Sequence, residues 1–228
     1  MIKHSALILA VVAGGALHSA PAEALVTTYT DRAAFQSAAG TTVLEDFNGF
    51  TEDISFSGGG VVDVGDFTLS GTSVFIPSAL NMIDAPPDSG FSINGTSFVS
   101  AVTNSNDSLT IEFASAISAF GADFSYISNS PASITSIDWG LGEPAIEIPA
   151  LRPGFFGFVS DTEFSTLTFT SNGIDTWSMD NIEYALVENI GDDPMDNGED
   201  DPTEIPEPGM LVGLAALGLL GVATRKRS

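Results

Sequence analysis

Leu109-Thr110-Ile111-Glu112-Phe113 places an apolar side chain at every second position and a polar one between. Thr166-Leu167-Thr168-Phe169-Thr170 repeats the pattern. Successive side chains of an extended strand point to opposite faces, so this alternation marks strands with one buried and one wet face. Further strands are expected at 43–48, 61–70, 73–76, 97–102, 117–127, 133–138, 145–148, 154–159 and 177–184. All are short runs rich in Thr, Ser, Val and Phe, divided by Gly, Asn, Asp and Pro. About ten such strands with frequent turn signals predict an all-β domain, an antiparallel β-sandwich of jelly-roll-like form. Phe47, Phe67, Phe75, Phe113, Phe120, Phe124, Phe169 and Trp177 are the expected core.

Two local features stand out. Thr30 to Gly40 reads as one short helix, with Thr30 as N-cap, Asp31 at the positive end, Gly40 as the stop and Phe35 as its anchor to the core. Trp177-Ser178-Met179-Asp180-Asn181-Ile182-Glu183-Tyr184 has a phase break. Trp177 and Met179 share one face, Ile182 and Tyr184 the other. A bulge near Asp180-Asn181 would return all four to the core and re-aim Asp180.

The 228 residues carry six Lys plus Arg against thirty Asp plus Glu, a net charge of −24. Lys3, Arg225, Lys226 and Arg227 lie in the end segments, leaving Arg32 and Arg152 between them. Such a body repels phosphate backbones, so nucleic acid is not an expected partner. Cysteine is absent, and the histidines are His4 and His18. Both fall in a segment expected to be removed, so a mature chain would lack the parts for a Ser-His-Asp triad, a Cys-His pair or a His-ligated zinc. Chemistry by carboxylates alone survives that exclusion. Asp138 with Glu143 is one candidate pair for a glycosidase, though no motif singles it out.

The ends set the domain limits. Lys3, the apolar run Ala6 to Leu17 and Ala22-Glu23-Ala24 have the layout of a secretory signal peptide over 1–24, cut by signal peptidase after Ala24, with Ala20 and Ala22 as alternatives. The β-domain is assigned to 25–187. Residues 188–205 hold eight Asp or Glu, two Pro and no aromatic, a composition that reads as an extended acidic spacer. Within it Asp193, Asn197, Gly198 and Glu204 fit calcium-loop spacing, but Met195 stands where a hard cation needs oxygen. Pro206-Glu207-Pro208 follows, then an uncharged stretch over 209–224 and the cluster Arg225-Lys226-Arg227. As a helix those sixteen residues reach about 24 Å, short for a membrane of ~30 Å unless the basic side chains snorkel. The cluster is expected on the cytoplasmic side of the inner membrane, placing the body outside.

Pro206-Glu207-Pro208, the apolar stretch and Arg225-Lys226-Arg227 resemble the PEP-CTERM sorting signal. That resemblance implies recognition by an exosortase, a membrane-embedded cysteine transpeptidase, and display at the cell surface or in the extracellular matrix of a Gram-negative bacterium. The body also resembles the domains found ahead of such tails. The resemblance rests on Thr30-Asp31-Arg32-Ala33-Ala34-Phe35, Asp46-Phe47-Asn48-Gly49, Ala119-Phe120-Gly121-Ala122-Asp123-Phe124 and the 177–184 segment. Those domains look like jelly rolls of the carbohydrate-binding-module type. The likeness implies a structural calcium shared by the first and last strands, with Asp46 and Asp180 as ligands and Glu45 or Asn48 assisting, although Asn48 stands where the pattern usually has Glu. The plainer alternative makes Asp46 and Asp180 local turn acceptors. A polysaccharide site would need exposed aromatics. Trp139 beside Asp138, and Phe155-Phe156, are the loop candidates, with core packing as the competing role. The expected role is that of an exported, non-enzymatic surface protein. A carboxylate-based hydrolase and an inert matrix module are the alternatives.

Overall fold

The computed structural model describes residues 24–73, 80–85 and 90–187. Residues 1–23 of the expected signal segment 1–24, positions 74–76 of the expected strand 73–76 with Phe75, the acidic spacer and the sorting tail with its 209–224 stretch lie outside them. The strands are β1 (Val26–Tyr29), β2 (Val43–Glu45), β3 (Ile54–Ser55), β4 (Gly60–Asp63), β5 (Phe67–Gly71), β6 (Met82–Asp84), β7 (Phe98–Thr103), β8 (Leu109–Ser125), β9 (Thr135–Asp138), β10 (Ile146–Glu147), β11 (Gly154–Ser171) and β12 (Asp175–Leu186), with one α-helix, α1 (Arg32–Ala39). The strand pairings are antiparallel. The all-β antiparallel expectation therefore holds.

The two alternating stretches of the sequence are the front and back of much longer strands. β8 over 109–113 lies between β5 and the 166–169 end of β11. Over 117–125 it lies between the 154–164 end of β11 and β12. The pairing of β11 with β8 loses register between Val159 and Phe164 and again before Thr166, and the strands change half there. This is how a sandwich turns a corner without ending a strand. Leu109, Ile111 and Phe113 from one half and Phe120, Phe124, Trp177 and Met179 from the other share a single buried cluster. Phe169 joins the halves, its ring centroid 6.1 Å from Phe120, 6.3 Å from Phe124 and 5.3 Å from Trp177. Ring pairs of this kind add about 0.5–1.5 kcal/mol beyond the area they bury.

Residues 61–70 form a hairpin instead of one strand. Gly65 takes a φ of 105°, and the Asp63 carboxylate accepts its N–H at 2.8 Å, so the Val64-Gly65-Asp66 turn reverses the chain. The short strands β1, β3 and β6 carry too few residues for an alternation to show.

The helix caps on Asp31, not Thr30. Asp31 Oδ1 accepts the Ala34 N–H at 2.8 Å, and Gly40, at φ 77°, closes the last turn through Gln36 O. Phe35 is buried, but not in the main core. With Ala119, Phe155 and Ala185 it forms a second cluster on the opposite face of the sheet. That close approach requires glycine below the helix. A Cβ on Gly121 would sit 2.6 Å from Phe155 Cζ and 3.2 Å from Phe35 Cζ. Gly121→Ala is expected to cost about 1–3 kcal/mol through overpacking, a fall of ~3–10 °C in Tm for a domain of this size. Thermal unfolding followed by circular dichroism checks it, and an unchanged Tm would mean the helix is not seated on this face.

Candidate functional site

The bulge expected in the last strand is present. Asp180 pairs with Asp123 while Glu183 pairs with Gly121, so β12 carries one extra residue. Asn181, at φ 50°, absorbs the kink. Trp177, Met179, Ile182 and Tyr184 all reach the main core. The bulge turns the polar residues of the same stretch toward the helix and the loop before β7.

These residues meet the start of the helix in one charged cluster. Arg32 pairs with Asp123 Oδ1 at 2.9 Å through Nη2 and with Glu183 Oε1 through Nη1. Its guanidinium carbon lies 4.6 Å from the centre of the Phe155 ring. Gln36 Nε2 donates to both Glu183 oxygens, at 3.1 and 2.9 Å, and Thr42 Oγ1 donates at 3.4 Å. Asn181 Nδ2 donates to Asp123 Oδ2 at 2.9 Å. Three of the four segments behind the body resemblance thus interlock as a structural clamp. Arg32, Asp123 and Glu183 hold one another.

Asp180 sits beside this clamp, fully buried. Oδ1 accepts its neighbour's Asn181 N–H at 2.7 Å, and Oδ2 accepts Thr96 Oγ1–H at 3.2 Å. Burial pushes its carboxyl up from 3.8 to about 6, and the nearby Asp123 charge adds to that, against the hydrogen bonds from Asn181, Thr96 and Asn94. β2 pairs with β12, Glu45 opposite Ile182, so the early and late strands expected to share a cation do adjoin. Their acids are nonetheless engaged locally. Asp46 Oδ1 accepts the Asn48 N–H at 3.1 Å, and Glu45 Oε1 accepts the Phe47 N–H at 2.6 Å. Among the described residues no group of three or more His, Cys, Asp or Glu is arranged to hold a metal ion. Asp46 and Asp180 thus each accept a local backbone N–H, the turn role weighed for them in the sequence.

The aromatic candidates for a sugar face are buried. Trp139 is 2% exposed, Phe156 joins the same core, and Phe155 lies under the helix. The reason is register. Trp139 directly follows β9 and packs edge-on to Phe158 and Phe164, while the phenylalanines are strand residues, not loop residues. Asp138 Oδ1 caps the turn through the Gly140 N–H at 2.9 Å, and Glu143 Oε1 accepts the Ala24 N–H at 3.3 Å. Among the described residues the aromatic left open is Tyr126, 40% exposed and edge-on to Phe91 at 5.5 Å. It follows β8 at φ 62°, and nothing in the local sequence signalled its exposure.

One buried relay was also hidden from sequence. Trp177 Nε1 donates to Thr103 Oγ1 at 3.1 Å. Thr103, Ser171 and Thr135 hydroxyls follow at 2.5 Å spacings, and Thr135 donates to Asp175 Oδ2 at 2.5 Å. Each hydroxyl gives one bond and takes one, so the chain is satisfied from an indole donor to a carboxylate acceptor. Its residues come from four strands, so no single stretch reveals it. Burial raises the Asp175 carboxyl above its ordinary range.

Residues 204–228 match the model of the PEP-CTERM protein-sorting motif. No curated protein matches the chain. The match takes in Pro206, Glu207, Pro208 and Arg225-Lys226-Arg227, the residues read as a sorting tail. The chain carries a PEP-CTERM sorting motif, the mark of an exported, membrane-anchored precursor that an exosortase recognises and sorts to the cell surface.

Proposed function

We propose that this chain is a non-enzymatic protein of the envelope or extracellular matrix of a Gram-negative bacterium. On this reading an exosortase processes its tail, and its β-domain, of carbohydrate-module type, binds polysaccharide. The observation that carries the reading is the sorting motif at 204–228. The acidic body supports it, since residues 25–187 set twenty Asp plus Glu against Arg32 and Arg152, an excess that keeps an exported domain soluble and away from polyanions. So do the structural duties of the carboxylates: Asp123 and Glu183 hold the helix, Asp175 ends a buried relay, and Asp138 bonds the Gly140 N–H.

Intact mass tests the sorting step. Protein recovered from a host with an exosortase is expected to lack Gly209 to Ser228, and protein from a host without one to retain them. Retention in both hosts refutes processing. Glycan-array binding by the mature protein, without turnover, is the expected result for the domain. Turnover abolished by removing one carboxylate would replace binding with hydrolysis.

A further inference from the structure

Trp139 carries a buried indole donor with no hydrogen-bond partner. Its ring is wedged edge-on between Phe158, at 6.0 Å, and Phe164, at 5.7 Å, so it has little freedom to turn and find one. The other tryptophan shows the ordinary arrangement, with Trp177 Nε1 donating to Thr103. A buried tryptophan N–H usually finds an acceptor, and leaving one without an acceptor costs about 1–3 kcal/mol.

Trp139 also lines a surface hollow of about 270 Å³, with Leu141, Glu163, Phe164, Ser165 and Thr166 among the other walls. The hollow lies at the corner of the sandwich. Glu163 to Thr166 belong to the stretch where β11 loses register with β8, and bulges of this kind re-aim side chains and gather at functional sites. An orphaned donor and a hollow thus share one residue at an irregular point of the fold.

We propose that this hollow holds a single neutral sugar residue, with Trp139 Nε1–H donating to one of its oxygens. This rests on the polysaccharide-binding reading and names its site. The walls define the ligand. It must accept from an indole N–H and donate to the Glu163 carboxylate, and a sugar hydroxyl does both. Ser165 and Thr166 hydroxyls work in either direction. Leu141 and Phe164 suit the C–H face of a sugar ring. Glu163 and the acidic body disfavour uronic acids and phosphorylated sugars. The volume falls just under the roughly 300–1,000 Å³ of drug-sized sites, which limits occupancy to one ring or a chain end.

The test uses the mature exported protein labelled with ¹⁵N. Its two tryptophans give two indole N–H signals, assigned by loss of one in Trp139→Phe. Titration with the methyl glycosides of glucose, galactose and mannose, and with N-acetylglucosamine, is expected to move the Trp139 signal for at least one sugar. The Trp177 signal should stay in place, and glucuronate should move neither. Thr166→Val, which keeps the shape of a half-buried side chain, is expected to weaken that binding about tenfold. If a glycan array shows binding while the Trp139 signal stays fixed and Thr166→Val binds as tightly as wild type, this site is wrong and the polysaccharide reading stands. If no glycan binds at all, both fall.

Discussion

Arg32→Met is expected to destabilise the domain by about 2–4 kcal/mol at neutral pH and to free the helix α1. Methionine keeps most of the apolar stem over Phe155 and removes the charge, so the loss reads the ion pairs more than the packing. Glu183 is the partner that matters. Its side chain is 5% exposed, against 25% for Asp123 and 28% for Arg32. Removing one member of a fully buried pair costs about 3–5 kcal/mol because the other charge is left uncompensated. Water at Asp123 screens that half and lowers the figure. Gln36 and Thr42 still donate to Glu183, which moderates the loss further. Glu183→Gln should recover much of it, since the carboxamide needs no cation. The double-mutant cycle is therefore expected to show a coupling above 1 kcal/mol. Hydrogen exchange should report lost protection over Arg32–Ala39 while β8 and β12 stay protected. A loss below 0.5 kcal/mol, or simple additivity with Glu183→Gln, would reduce the clamp to a surface decoration.

That clamp was only partly legible in the sequence. Arg32 could have been singled out as one of two cations within 25–187, because a cation so outnumbered finds a carboxylate. Which carboxylate depends on the β12 bulge. The phase break between Met179 and Ile182 did reveal the bulge, since four large apolar side chains had to reach one core. It could not show that Asp123 of another strand would face Glu183 across Gly121. The hairpin at 60–71 reads as one strand because Val61-Val62 and Phe67-Thr68-Leu69 both suit a sheet, although Asp63, Gly65 and Asp66 between them are turn residues. β8 and β11 each read from sequence as separate short strands because their alternation lapses at the corner, where 113–116 and 161–165 pass from one half to the other. Trp139 reads as a loop aromatic because Asp138-Trp139-Gly140 looks like a turn. It is a turn, but its ring packs edge-on against Phe158 and Phe164. Periodicity locates elements well and says little about which face a turn residue takes.

Stability is expected to rise as pH falls from 7 toward 4, and Asp180→Asn is expected to remove a definable part of that rise. The sign follows from burial. The Asp180 carboxyl is raised from 3.8 to about 6 in the fold, so the native state takes up a proton at a pH where the unfolded chain does not. The stabilisation this brings is fully present below about 3.8 and is lost as pH rises through about 6. Its size is roughly 2 kcal/mol, after allowing for the water that reaches neighbouring Asp123. Asp123 is the charged group facing Asp180. Asn94, Thr96 and Asn181 supply hydrogen bonds that hold the ionised form, and none supplies a positive charge. Glu45 and Asp175, also raised by burial, slope the same way in both proteins and drop out of the difference. Asn at 180 can still accept from the Asn181 N–H, while the Thr96 hydroxyl reverses to accept from the new amide. Denaturant midpoints at half-unit pH steps should therefore show Asp180→Asn at least as stable as wild type at pH 7 and relatively weaker near pH 4. Parallel curves would mean that Asp180 is ionised throughout. Repeating the series in EDTA and in millimolar calcium separates the two roles considered for this residue. A cation on Asp180 would hold it ionised and raise stability near pH 7 in wild type alone. With both carboxylate oxygens engaged by Asn181 and Thr96, the two series are expected to coincide.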